Sequence, residues 1–356
     1  MRSFLVLLLV LPAARASTGG EVAGATGGEV SDADVARAIE RARAVVLAGK
    51  RFAGEEGEGA RALALLAALA AGADASEERI ERSLDALAAR GPAEAGADKY
   101  KAVYLASLAN QCFARVREAR YRDAANFMTA RLIALREAKT GGWGDLSRTQ
   151  FALAGLDAAE SFGIRVPREV WAGAERFVAA CQRKDGAFRY GRGEKKAGTG
   201  SMTAAGAACL ALCRARAGRP QACVARAEDA RVAAARAWLA QHFTVLVNPG
   251  SEAQWHLYYL HALGHWGSLS GERRLAGRDW FREAAAELVR TQRADGSWKE
   301  TGDGAFSTEF ALLFLARGAA PTLIAKARWG GADKGARWHE RDAARWVELV
   351  RRELGT

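Results

Sequence analysis

The chain has 356 residues, half of them hydrophobic, and a formal charge of +11. That length suits one large domain or two ordinary ones, and the apolar share is enough to bury a sizeable core. The basic excess is mostly arginine set among acids, as at Arg37, Arg41 and Arg43 around Glu40, and at Arg226, Arg231 and Arg236 beside Glu228 and Asp229. No Lys/Arg run alternates with aromatics, so the chain does not read as a nucleic-acid binder; acidic glycans or anionic headgroups remain as charge-matched surface partners.

Residues 1–16 read as a secretory signal peptide. Arg2 is the basic start, residues 4–11 the apolar run, and Ala14, Arg15, Ala16 the small-residue cleavage site. The apolar run is too short to span the ~30 Å of a bilayer core, and no other segment is long enough. The mature chain is therefore expected in the periplasm or at the cell surface, with no transmembrane segment after signal removal. Loss of Arg2 and Arg15 lowers the charge to +9. Residues 17–31, rich in Gly, Ser and Thr, predict a flexible linker, and Ser31 or Asp32 a helix cap.

Twelve helical segments follow in two alternating kinds. Amphipathic, charge-rich segments are predicted over about 33–50, 76–90, 120–138, 167–182, 226–242 and 277–292. Short Ala/Leu-rich segments, nearly free of charge and so expected to be buried, are predicted over about 59–72, 99–113, 147–161, 200–215, 251–265 and 305–317. The starts of the buried set recur about every 40–54 residues, which marks a repeat protein. Residues 242–247 have a β-like composition but are short and follow a helix, so they read as a helix end and loop. Six helical hairpins can close on themselves, one barrel inside another. Residues 32–318 are therefore expected to form an all-α domain, an α6/α6 toroid; an open right-handed solenoid is the alternative. Residues 319–356 are expected to be a tail with a short helix.

Two turns share the form Gln-x-x-Asp-Gly-x-aromatic, one from Gln182 through Gly186 to Phe188, the other from Gln292 through Gly296 to Trp298. Gly141, Gly142 and Trp143 form a shorter relative. The glycine permits positive φ just past a helix, and the Gln amide can bond carbonyls of that helix's last turn or the start of the next helix. This is read as a structural clasp. Five cysteines, Cys112, Cys181, Cys209, Cys213 and Cys223, leave at least one thiol unpaired; Cys209 or Cys213 pairs with Cys223, or all pack as small hydrophobes.

With its repeated Gln…Gly-x-aromatic turns, the chain resembles the squalene/hopene cyclases and protein prenyltransferases, which share α/α toroids. Ala174, Phe177 and Val178 ahead of Gln182, and Ala284 and Leu288 ahead of Gln292, fit the cyclase pattern over roughly residues 33–318. A closer likeness is to exported bacterial proteins with such a toroid, often followed by a domain of unknown function. It is carried by the segments at 142–156, 199–206, 248–250, Tyr258 with Tyr259, and 310–318. The segment from Trp338 to Arg345 resembles the junction to that further domain, which is not expected here.

The resemblance also says where chemistry would sit. Cyclases protonate an alkene with an Asp in an Asp-x-Asp-Asp-Thr segment; here the segment runs Asp145, Leu146, Ser147, Arg148, Thr149, with Ser147 at the donor position. Asp145 then reads as a helix cap or as a displaced acid. Prenyltransferases hold zinc through Asp, Cys and His. His256 stands near the family's His and Cys209 on the preceding buried helix, but no acid lies in residues 200–213, so no metal or other cofactor is expected. His256, His261 and His265 crowd one helix with Glu252, Trp255, Tyr258, Tyr259 and Trp266, as aromatic packing, a metal pair or a His/Tyr acid–base site.

Three functions follow in order. The first is a binding scaffold for an apolar or polar-headed ligand or a protein partner, its cavity bordered by Glu252, Trp255, His256, Tyr259 and Glu309. The second is a divergent terpene cyclase or prenyl enzyme drawing its acid from Asp145, Asp303 or Glu309. The third is an extracellular glycan lyase or hydrolase using His256 or Tyr258.

Overall fold

The computed structural model describes residues 30–90, 98–216, 229–251, 254–299 and 306–318. The signal peptide, nearly all of the 17–31 linker, the 319–356 tail, Cys223, Glu252 and Asp303 lie outside these residues. The described residues form thirteen α-helices and no strand. These are α1 (Asp32–Ala48), α2 (Lys50–Ala53), α3 (Glu58–Ala70), α4 (Glu78–Arg90), α5 (Lys99–Val116), α6 (Arg122–Leu135), α7 (Leu146–Ser161), α8 (Arg168–Cys181), α9 (Gly200–Arg216), α10 (Ala230–Gln241), α11 (His256–Ser270), α12 (Trp280–Thr291) and α13 (Ser307–Gly318). A single 3-10 turn, Ala119–Tyr121, leads into α6. Each of the twelve expected segments holds one of these helices, and residues 242–247 are loop. The sequence reading missed α2, which is too short to carry a helical period.

The two kinds of helix differ in burial as their charge content requires. Residues 62–69 of α3, 201–210 of α9 and 257–264 of α11 are buried without a break. By contrast, α1 buries only the stripe Val35, Ala38, Ala42, Val46, spaced for one face of a helix. Starts are fixed by side-chain caps where the sequence offers Ser or Asp. Ser31 and Asp34 form a reciprocal capping box at α1, and Asp98, Asp145, Asp229 and Asp279 cap α5, α7, α10 and α12. Among the buried helices, α3 packs on α5, α5 on α7, α7 on α9, α9 on α11 and α11 on α13, and α13 packs on α3. The amphipathic helices flank them, with α1 touching α3, α12 and α13.

The two Gln turns each fasten one amphipathic helix to another, α8 to α10 and α12 to α1. Gln182 Nε2 donates to Gly186 O at 3.2 Å and to Arg231 O, in the first turn of α10, at 2.7 Å. Gln292 Nε2 donates to Gly296 O and to Ala38 O of α1, both at 2.9 Å. Gly186 and Gly296 adopt φ of 92° and 90°. The indole N–H groups of Trp143 and Trp298 donate to Leu132 O at 2.7 Å and Leu288 O at 2.9 Å. The backbone N–H groups of Trp143, Phe188 and Trp298 donate to the hydroxyls of Thr149, Thr203 and Thr308 at 3.0–3.1 Å, tying each turn to the following buried helix.

Candidate ligand-binding cavity

A cavity of about 980 Å³ opens where the buried helices begin. Its lining comes from the first turns of α3, α5, α7, α9, α11 and the start of α13, and from residues in 190–199, 248–251 and 254–255. The deeper wall is apolar: Leu63 of α3, Leu105 and Leu108 of α5, Phe151 of α7, Met202 of α9 and Phe310 of α13. Each lies in the first three turns of its helix.

One polar cluster interrupts this wall. Tyr258 O–H donates to Gln150 Oε1 at 2.6 Å, Ser147 Oγ lies 3.0 Å from the Tyr258 hydroxyl, and Tyr104 O–H lies 3.4 Å from Ser147 Oγ. Tyr104, Ser147 and Tyr258 all face the cavity. Phe151 packs edge-on to Tyr104 and is stacked at 6.4 Å against Tyr258. Burial pushes the phenols of Tyr104 and Tyr258 above their ordinary value, far above for Tyr258, so both stay protonated at neutral pH. His261 stands one turn beyond Tyr258, ringed by Phe151, Tyr258 and Phe310. Burial, helped by the Arg317 cation, pushes its imidazole down to about 3 and holds it neutral. His265 is pushed down by the same causes.

Among the described residues, every carboxylate on the wall has a cation beside it. Glu56 accepts from Arg51 at 2.8 Å, Glu58 pairs with Arg61 at 3.6 Å and Glu194 with Lys196 at 3.9 Å. Lys101 also lines the mouth.

The residues singled out by sequence fall in different places. Asp145 caps α7: its Oδ1 accepts from the Arg148 amide at 2.8 Å and its Oδ2 from the Arg148 guanidinium at 2.6 Å. That guanidinium lies 3.8 Å over the Tyr100 ring, so the carboxylate is enclosed by its own partner and is not on the cavity wall. Glu309, 3% exposed, accepts from Arg51 at 3.1 and 3.3 Å, and the same Arg51 sits over Phe306 at the mouth. His256 Nε2 donates to Val245 O at 2.7 Å, pinning the 242–250 loop to α11. Tyr259 is fully buried on another face of α11, against Gly200. Trp255 does line the mouth; it is 42% exposed and holds a left-handed φ of 60°. Tyr258 is on the wall itself, and His256 is not.

Among the described residues, no three His, Cys, Asp or Glu side chains stand close enough to share a metal ion. Cys112, Cys181, Cys209 and Cys213 are buried and unbridged, and burial pushes all four thiols up, Cys181 to about 12. No described helix is long and apolar enough to cross a membrane. No protein-family model matches the chain, and no curated protein matches it.

Sequence reasoning did not find Tyr104, Gln150 or Arg51. The available signal was polarity among apolar neighbours, since Tyr104 and Gln150 each stand in a largely buried run of their helix.

Proposed function

We propose that the protein is an exported binding scaffold that holds an apolar ligand in this cavity, on an α6/α6 toroid of the terpenoid cyclase and prenyltransferase kind. One observation carries the binding reading: the wall is apolar and neutral at depth, and each described acid that lines it is already paired with an arginine or lysine. A cavity of about 980 Å³ is at the large end for small-molecule sites, which suits a long or polycyclic hydrocarbon. An acid able to protonate an alkene must be free and dry, whereas Asp145 and Glu309 are each bound to an arginine. The packing of α13 on α3, and the bond from Gln292 to α1, support closure of the six hairpins.

Native mass spectrometry of the purified protein with isoprenoid and long-chain lipid extracts tests the binding reading. A retained adduct from either class is expected, with a raised melting midpoint; the absence of any adduct counts against it. Incubation with squalene and with prenyl diphosphates is expected to return them unchanged. A cyclised or transferred product overturns the scaffold in favour of an enzyme. Export is checked by N-terminal sequencing of the mature protein, expected to begin at Ser17.

A further inference from the structure

The polar cluster on the cavity wall has a direction. A phenol has one hydrogen, and that of Tyr258 goes to Gln150 Oε1 at 2.6 Å. The 3.0 Å contact between Ser147 and Tyr258 therefore needs the serine hydrogen, so Ser147 donates to Tyr258. Its hydrogen spent, Ser147 can only accept in its 3.4 Å contact with Tyr104, so Tyr104 donates. The chain runs one way, Tyr104 to Ser147 to Tyr258 to Gln150, and all three hydroxyl hydrogens are consumed inside it. Lone pairs remain on Tyr104 and Ser147, two oxygens that face the cavity.

A wall of this kind meets a ligand that donates. Ethers, aldehydes and ketones bring only acceptors; they can take a donor elsewhere on the wall but leave the lone pairs of Tyr104 and Ser147 without a partner. An ammonium donates too, but each carboxylate among the described residues of the wall already has a cation beside it, which leaves no free counter-ion among them for its charge. An alcohol donates, carries no charge and still accepts. At the start of the neighbouring α9 the hydroxyls of Thr199 and Ser201, also on the wall, share one hydrogen at 3.1 Å, and the second is left over for an acceptor.

We infer that the cavity selects a neutral alcohol on a hydrocarbon skeleton, with its O–H donated to Ser147 and Tyr104 and its skeleton against Leu63, Leu108, Phe151 and Phe310. This rests on the binding reading above and names its ligand class.

The test compares four molecules of one skeleton by native mass spectrometry and calorimetry on the full mature protein: geranylgeraniol, its methyl ether, its aldehyde and its amine. The alcohol is expected to bind roughly ten-fold tighter than the ether and the aldehyde, the factor one net hydrogen bond confers. Tyr258→Phe frees the Ser147 hydrogen, so the aldehyde should gain on the alcohol and the ratio approach unity. Ser147→Ala removes one acceptor and frees the Tyr104 hydrogen, so alcohol binding should fall while ether binding rises. Both changes are small, and a melting curve verifies that each variant folds. Equal binding of all four molecules overturns this inference and leaves the binding reading standing. A preference for the amine overturns it in favour of a cation. Failure of all four to bind overturns both.

Discussion

Replacing Gly296 with alanine probes the contact that joins the last turn motif to α1. Gly296 has φ 90°, and a Cβ there would stand 2.9 Å from Arg41 O and 3.1 Å from Arg41 C and Cβ. Those are backbone atoms and the root of a side chain, so the turn itself must lift. Lifting it strains Gln292 Nε2 to Ala38 O at 2.9 Å, and Arg41 Nη2 to Arg293 O at 2.7 Å and Ala294 O at 2.9 Å. Each is worth about 1 kcal/mol net. Gly271 supplies the control: its φ is 72°, and a Cβ there meets nothing within 4 Å. Alanine in a left-handed conformation costs about 1–2 kcal/mol, partly offset by a less flexible unfolded chain. Gly271→Ala should therefore lose about 1 kcal/mol, and Gly296→Ala about 3–4 kcal/mol. In thermal unfolding followed by far-UV circular dichroism, the gap is expected to be at least about 5 °C for a domain of this size. Equal losses, within about 0.5 kcal/mol by urea titration, would refute the argument that this turn is seated on α1.

Other outcomes follow from the same geometry. Trp298→Ala, at a buried site that also loses the indole bond to Leu288 O, should cost about 4 kcal/mol in denaturant titration, whereas Trp298→Phe should cost less than half of that. Arg51→Leu leaves the Glu309 carboxylate buried without its cation and should cost about 3 kcal/mol; adding Glu309→Gln should recover most of it. Trp255→Ala, at a half-exposed mouth position, should change stability by less than about 0.5 kcal/mol while weakening ligand binding in calorimetry. His261 binds its proton near 6.5 when unfolded and only near 3 when folded, so the unfolded state takes up more protons in that window and stability falls as pH drops through it. Between about pH 7 and about pH 5 the loss from this group should be about 2 kcal/mol, and His261→Phe should flatten the profile by that amount.

The helices and their two kinds were legible because both signals are local. A segment without charge on any side must be buried, and one with a single apolar stripe must lie against it. The turn glycines were legible for the same reason: Asp-Gly after a helix calls for positive φ, which Gly186 and Gly296 adopt. Asp145 shows where local reading runs short. The sequence weighed a cap against an acid, and the structure adds what neither reading held, a guanidinium from Arg148 that lies over Tyr100 while it holds the carboxylate.

What the sequence by itself determined is the all-helical class, the positions of the helices and the glycine turns that follow them, all set by contacts among residues a few positions apart. The cavity's chemistry was decided only in three dimensions. Ser147 and Tyr258 are 111 positions apart, and Arg51 and Glu309 258 apart. Whether two such side chains meet depends on the rotation and axial offset of separate helices. Those follow from how whole faces pack, and no local pattern of residues encodes them.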